Sequence, residues 1–237
     1  MTSIIISTKN RLSYLQELIK SIREFTKNYE IVVIDDASTD GTREWGEKEH
    51  ITYIRNHKSI PVAEAWNQGA RFSEGEYLVF LNDDMLVTEG WLDSMIEMYT
   101  KNPMTGSLAF KVYDDQGNVQ SRGHSFKGLT PYIPDKDAIT VDWSDHPFVS
   151  RKVYNRVGGF DIMGQIYYED TAFGIKLLSR GYRNYYNPNA VLIHQTVGTR
   201  IGTDEEKEIR KHNEQVLQKQ SGEKFYKLWG DFLKSRK

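Results

Sequence analysis

Apolar runs of strand length alternate along the chain with stretches whose apolar positions recur every three or four residues. Residues 3–8 form a first strand rich in β-branched side chains. Leu12, Leu15, Leu18, Ile19 and Ile22 then share one helical stripe. A second strand, 31–34, runs into Asp35-Asp36-Ala37-Ser38-Thr39-Asp40-Gly41-Thr42, dense in turn and helix-start residues. A short helix leads to a third strand over 51–54. Pro61, at a position that proline favours, opens a helix reaching to about residue 73. Residues 77–81 are apolar on both faces, as in a parallel strand covered by helices, and a helix over 89–99 follows. This alternation predicts an α/β fold, a doubly wound and mostly parallel sheet flanked by helices.

The character changes after about residue 103. Residues 107–113 and 119–121 flank Asp115-Gln116-Gly117-Asn118, a hairpin turn. The stretch 124–147 holds three of the six prolines and reads as loop, with one short strand at most. Helices are predicted over 150–157 and 168–180, strands over 183–186 and 191–194, a Gly/Thr-containing loop over 196–203, and a helical tail from residue 204. The pattern divides the chain into a domain over 1–203, with halves at about 1–102 and 103–203, and a tail over 204–237.

Composition narrows the chemistry. At 237 residues, 38% hydrophobic and 27% charged, the chain has the make-up of a globular protein with a substantial core. A net charge of −2 carries no sign of nucleic-acid affinity. No cysteine is present, which removes disulfides and thiolate metal sites and leaves oxygen and imidazole ligands. The apolar runs are too short to span a bilayer, and the first strand starts at the N-terminus with no signal peptide ahead of it. The expected location is the cytoplasm or the inner face of a membrane.

Three strand or helix ends carry paired carboxylates: Asp35/Asp36, Asp83/Asp84 and Glu169/Asp170. In open α/β sheets ligands sit outside the carboxyl ends of the strands. The first two pairs are expected on neighbouring strands facing one crevice. Adjacent carboxylates repel unless a cation joins them, and a hard divalent ion shared with substrate phosphates does so. Helix caps and acidic turns are the competing reading for Asp83, Asp84 and Asp170. Neither the dinucleotide glycine fingerprint nor a P-loop occurs. A glycosidase would set two carboxylates across one sugar ring and leaves Asp35/Asp36 unexplained.

Several motifs share an order and spacing: Ile4-Ile5-Ile6-Ser7-Thr8-Lys9-Asn10-Arg11, Val33-Ile34-Asp35-Asp36-Ala37-Ser38, Asn67-Gln68-Gly69, Leu81-Asn82-Asp83-Asp84, Gly158-Gly159-Phe160-Asp161, Tyr168-Glu169-Asp170-Thr171 and Gly181-Tyr182-Arg183. With these the chain resembles glycosyltransferases of the GT-A fold, family 2, and most of all the rhamnosyltransferase-like members. The resemblance implies an inverting transfer from a nucleotide-sugar donor, UDP- or dTDP-linked, to a glycan or lipid-linked acceptor hydroxyl, with Mn²⁺ or Mg²⁺ as cofactor. It places Thr8, Asn10 and Arg11 along the nucleotide and Asp35 or Asp36 at the base. Asp83 and Asp84 fall at the DXD position, Asp84 as metal ligand and Asp83 at the ribose or the metal. Asp170, with Glu169, matches the catalytic base, and His194 the metal shell or diphosphate.

Two departures stand out. Trp66 replaces an arginine common in the family, and Trp143-Ser144-Asp145-His146 replaces small residues. Asp145, His146, Gly159 and Trp66 are read as adjacent to acceptor or sugar, with a plain turn or a second base as the alternative for Asp145 and His146 and a helix C-cap for Gly159. Arg200 is a phosphate candidate, and a solvated arginine otherwise. The tail over 219–237 has six basic and two acidic residues, together +4, beside a Phe225/Trp229/Phe232 stripe. That stripe fits a peripheral membrane contact, packing back on the domain, or a homo-oligomer. Two other classes stay open: a non-catalytic sugar-nucleotide or glycan-binding module, and a transferase acting on a nucleic-acid base, which the missing basic stripe speaks against.

Overall fold

A computed structural model describes residues 1–135, 137, 139–195 and 204–236, and of 204–210 the backbone alone. Strand β1 (Thr2–Thr8) is central, parallel both to β2 (Tyr29–Asp35) and to β4 (Tyr77–Asn82), with β3 (Thr52–Arg55) parallel beyond β2. Beyond β4 comes β11 (Phe148–Ser150), antiparallel, then β6 (Thr105–Asp114) and β12 (Arg183–His194), parallel to each other, and β10 (Thr140–Val141). The strands bearing Asp35 and Asp83 are thus not neighbours as expected; β1 lies between them and carries Thr8 into the crevice.

Alternation along β1 explains the layers. Ile4 and Ile6 face the core formed with α1 (Leu12–Phe25) and α4 (Trp91–Lys101), while Ile5 faces the core of α3 (Val62–Arg71), α5 (Arg151–Val157) and α6 (Glu169–Ser179). Gly69 lets α3 lie close: a Cβ there would stand 2.3 Å from Ile5 Cγ2. A short α2 (Thr42–Gly46) follows the Asp35–Gly41 turn.

Shorter strands depart from the pattern-based reading. Met85–Val87 forms β5, antiparallel to the end of β12, with His194 opposite Met85. β7 (Val119–Ser121) closes the predicted hairpin on β6. Within 124–147 lie β8 (Ser125–Lys127), β9 (Thr130–Tyr132) and β10, where one short strand at most was expected. The two strands predicted over 183–194 are one, with an irregularity between Tyr186 and Val191.

The tail is α7 (Asp204–Ser235). Phe225 is fully buried and Leu233 nearly so, against Met163, Ala172 and Ile175, with Trp229 and Phe232 packed beside them. The apolar stripe thus packs back on the domain, with Phe225 buried and Trp229 and Phe232 partly so. No helix among the described residues is long and apolar enough to cross a membrane.

Candidate active site

The carboxyl ends of β1, β2 and β4 open into a cleft of about 390 Å³ lined by Thr8, Lys9, Arg11, Asp36, Ser59, Asn82, Asp83, Asp84 and Gln165, among others. Asp83 and Asp84 form the turn between β4 and β5, and both are buried. The Thr8 hydroxyl donates to Asp83 Oδ2 at 2.7 Å. Burial pushes the Asp83 pKa up to about 7, against the pull of Arg11 and Thr8. Burial acts on Asp84 in the same direction, but His194 and Arg11 outweigh it and hold that carboxyl below its usual range. Arg11 Nη1 lies 2.5 Å from Asp84 Oδ2, and His194 Nε2 lies 3.3 Å from the same oxygen. Gln120 Oε1, 2.8 Å from His194 Nδ1, fixes the ring.

The twin aspartates of β2 separate by role. Asp35 is fully buried and accepts from the Tyr53 hydroxyl and the Arg55 guanidinium, each at 2.5 Å, and from the Ser38 amide at 2.8 Å. It braces the turn and does not line the cleft. Asp36 does line it, accepting from the Ser59 hydroxyl at 2.5 Å and the Ile60 amide at 2.7 Å, with Lys9 Nζ at 3.3 Å. Replacing Asp35 with Ala strips Tyr53 and Arg55 of their acceptor. It should cost about 2–4 kcal/mol in urea-unfolding stability, whereas Asp36→Ala should leave stability within about 1 kcal/mol. Equal losses in the two variants would contradict this division. Asn10 likewise braces a turn: at φ 53 its Oδ1 accepts from the Thr39 amide at 2.7 Å, and it lies outside the cleft lining.

Metal fit turns on one atom. Asp84 Oδ1 is buried with no hydrogen-bond partner, an expensive state for a carboxylate oxygen unless a ligand completes it. Among the described residues no three acidic or imidazole side chains are grouped closely enough to hold an ion by themselves. Asp84 and His194 as protein ligands, with a substrate diphosphate supplying further oxygens, match how Mg²⁺ and Mn²⁺ are held at phosphate sites. The residues present fit such an ion.

A second cleft of about 410 Å³ adjoins the first, sharing Asn82 and Ile166 in its lining. Its walls include Glu169, Asp170, Asp145, His124, Trp143, Phe126, Tyr168 and, from α7, Gln218. Tyr167 and Tyr168 sit at φ 78 and 66, a conformation that side-chain-bearing residues rarely adopt, immediately before the two carboxylates of α6. Tyr168 is clamped by Phe225, ring centroids 5.1 Å apart, and Gly222 leaves room for its ring. One oxygen of Asp170 accepts from the Thr171 amide at 2.6 Å. Burial, and then the charges of Glu169 and Asp145, raise the Asp170 pKa well above the ordinary value. Burial also pushes Glu169 up to about 7.

Of the remaining sequence candidates, Asp145 lines this second cleft, paired with His124 Nε2 at 2.8 Å, and the His124 ring stacks on Trp143. His146 is buried behind it; burial lowers its pKa, and neither ring nitrogen has a partner. Trp66 also lines the cleft, but its ring belongs to the core beside Phe80 and Phe160, with Nε1 unpartnered. Gly159 lines neither cleft. It turns the chain at φ 67 under Tyr154 and Asn67, where a Cβ would lie 2.7 Å from Asn67 Oδ1. Arg200 lies outside the described residues. Ser59, Gln165, His124 and Gln218 went unnoticed in the sequence. Only His124 carried a signal, as a histidine three residues after the hairpin's second strand.

A central, mostly parallel sheet opening at its carboxyl edge onto a two-part cleft is the GT-A arrangement. The chain belongs to glycosyl transferase family 2, whose model matches residues 3–163. It is 32% identical over 217 residues to an uncharacterized glycosyltransferase of Haemophilus influenzae, covering 86% of this chain and 72% of that protein. It is 25% identical over 226 residues to the O-antigen biosynthesis protein RfbC of Myxococcus xanthus, covering 84% of this chain but only 17% of RfbC. Among solved structures it superposes, with a TM-score of 0.62 and 21% identity, on the Pyrobaculum calidifontis mannosyltransferase PcManGT in complex with GDP-Man and Mn²⁺. That match covers 82% of this chain and 56% of the other.

Proposed function

We propose that the chain is an inverting glycosyltransferase, dependent on Mn²⁺ or Mg²⁺, that moves a sugar from a UDP- or dTDP-sugar to a hydroxyl of a glycan or lipid-linked acceptor. The setting is polysaccharide or glycoconjugate synthesis. The observation that carries this reading is the junction of two clefts: one holds Asp36, Asp83 and Asp84, the other Glu169 and Asp170, and Asn82 and Ile166 are common to both.

Each residue has a task that its surroundings suit. Asp36, at the cleft wall beside Lys9, accepts from the imide N–H of a pyrimidine base. Asp83, oriented by Thr8, meets the ribose. Asp84 and His194 hold the cation, which when bound offsets charge developing on the departing diphosphate. Asp170 stands across the junction and takes the proton of the acceptor hydroxyl as it attacks from the face opposite the leaving group. A raised pKa suits that role, because a base tuned toward neutral pH accepts a proton more readily. Glu169 keeps company in the same desolvated wall, and the aromatic rings of Trp143, Phe126 and Tyr168 offer flat apolar surface to an acceptor sugar.

A melting-point screen of UDP-, dTDP-, GDP- and CMP-sugars with Mn²⁺ tests the donor assignment. A uridine or thymidine donor should raise the melting point by at least about 2 °C at saturation, and only with the ion present. Slow release of free nucleoside diphosphate without acceptor should accompany it. A shift without release would mark a binding module instead, and no shift with any donor would end the nucleotide-sugar reading.

A further inference from the structure

Arg11 covers the place where a cation would bind. Its Nη1 is 2.5 Å from Asp84 Oδ2 and 3.5 Å from Asp83 Oδ1, so one guanidinium bridges both carboxylates. Asp84 Oδ2 is shared with His194, while Asp84 Oδ1 stays buried and without a partner. The pair is thus half satisfied: a guanidinium stands on Asp84 Oδ2 and beside Asp83, while Asp84 Oδ1 is left without a partner. Unlike the carboxylates, the Arg11 side chain is 38% exposed. It belongs to no core cluster and projects from the residue just before α1, so it can swing away without unpacking the fold. Arg11 and Asp84 line the same cleft, which brings a bound diphosphate within the guanidinium's reach, and guanidinium forks match phosphate oxygens well.

We propose that Arg11 is a resident counter-cation, which must leave the Asp83–Asp84 pair before a divalent ion can be held there and which turns to the donor's diphosphate when it does. Ion binding is then coupled to donor entry: the free protein holds the ion weakly, and the nucleotide creates the ion site by drawing the guanidinium off. This rests on reading the cleft as the nucleotide-sugar and cation site.

The test measures Mn²⁺ binding directly, from the electron paramagnetic resonance signal of the free ion, with and without UDP. The wild type is compared with Arg11→Gln and Arg11→Lys, and melting curves verify that each is folded. Without UDP, Arg11→Gln should bind Mn²⁺ about tenfold more tightly than the wild type, and the factor by which UDP tightens Mn²⁺ should shrink correspondingly. Arg11→Lys, whose ammonium is a compact point charge lacking the fork that bridges two carboxylates, should gain about threefold and carries the comparison if the glutamine variant does not fold. Unchanged or weaker Mn²⁺ binding by the variants without UDP, with the UDP effect intact, overturns the counter-cation role and leaves the donor-cleft reading standing. Absence of Mn²⁺ binding in every arm overturns both.

Discussion

Asp170→Asn is expected to lower the transfer rate by about a thousandfold while leaving donor affinity within about twofold. The amide keeps the size of the carboxyl and its contact with Thr171 but cannot take a proton. Asp170 also lies on the far side of Asn82 and Ile166 from the cleft assigned to the nucleotide, which is why binding should survive. In the wild type the rate should still be climbing at pH values above the ordinary carboxylate range, because burial and the charges of Glu169 and Asp145 raise the Asp170 pKa and the base works only when ionised. The stability consequence has the opposite sign. A carboxyl with a raised folded-state pKa binds its proton more tightly when folded, so its contribution is intact below the ordinary carboxylate pKa and is lost as pH rises through the folded value. Asp170→Asn should therefore melt about 2 °C or more above the wild type at pH 8 and with it at pH 4. Single-turnover kinetics, titration with donor and melting curves at the two pH values check the set. Near-normal transfer by the asparagine variant would refute the base assignment.

Asp84→Ala should weaken Mn²⁺-dependent donor binding by more than about a hundredfold, beyond the effect of losing a ligand's supporting partner. It removes both the oxygen that has no partner and the one shared by Arg11 and His194. Calorimetric titration with UDP in the presence and absence of Mn²⁺ separates the ion-linked part from the rest. The wild type should show a large difference between the two titrations, and Asp84→Ala almost none. If the variant keeps the wild-type response to the ion, the cation is held elsewhere or is not needed.

The central strands were legible because parallel strands buried on both faces become unbroken apolar runs, as at Ile4–Ile6 and Leu78–Leu81. The helix over 12–25 was legible from its apolar stripe and the one over 62–71 from the proline that opens it. What escaped were elements too short to show a period. Met85–Val87 has three residues, and β8 to β10 have two or three each. Strand neighbours also escaped, since order in sequence does not reveal that β1 inserts between β2 and β4. Within the site, the acidic clusters were visible but their division of labour was not. Asp35 and Asp36 look alike in the chain; it takes Tyr53 and Arg55, from the strand alongside, to turn the first into a brace. Ser59 and Gln165 reach the cleft from segments without pattern, joined by a contact of 3.1 Å between Gln165 Nε2 and Ser59 Oγ.

The helix that buries Phe225 also supplies Gln218 to the wall around Asp170. No residue lining the first cleft lies beyond Ile166, so this helix shapes the second cleft alone. On the proposed reading, grafting a different final helix would reshape what is glycosylated while leaving in place the residues that meet what is donated.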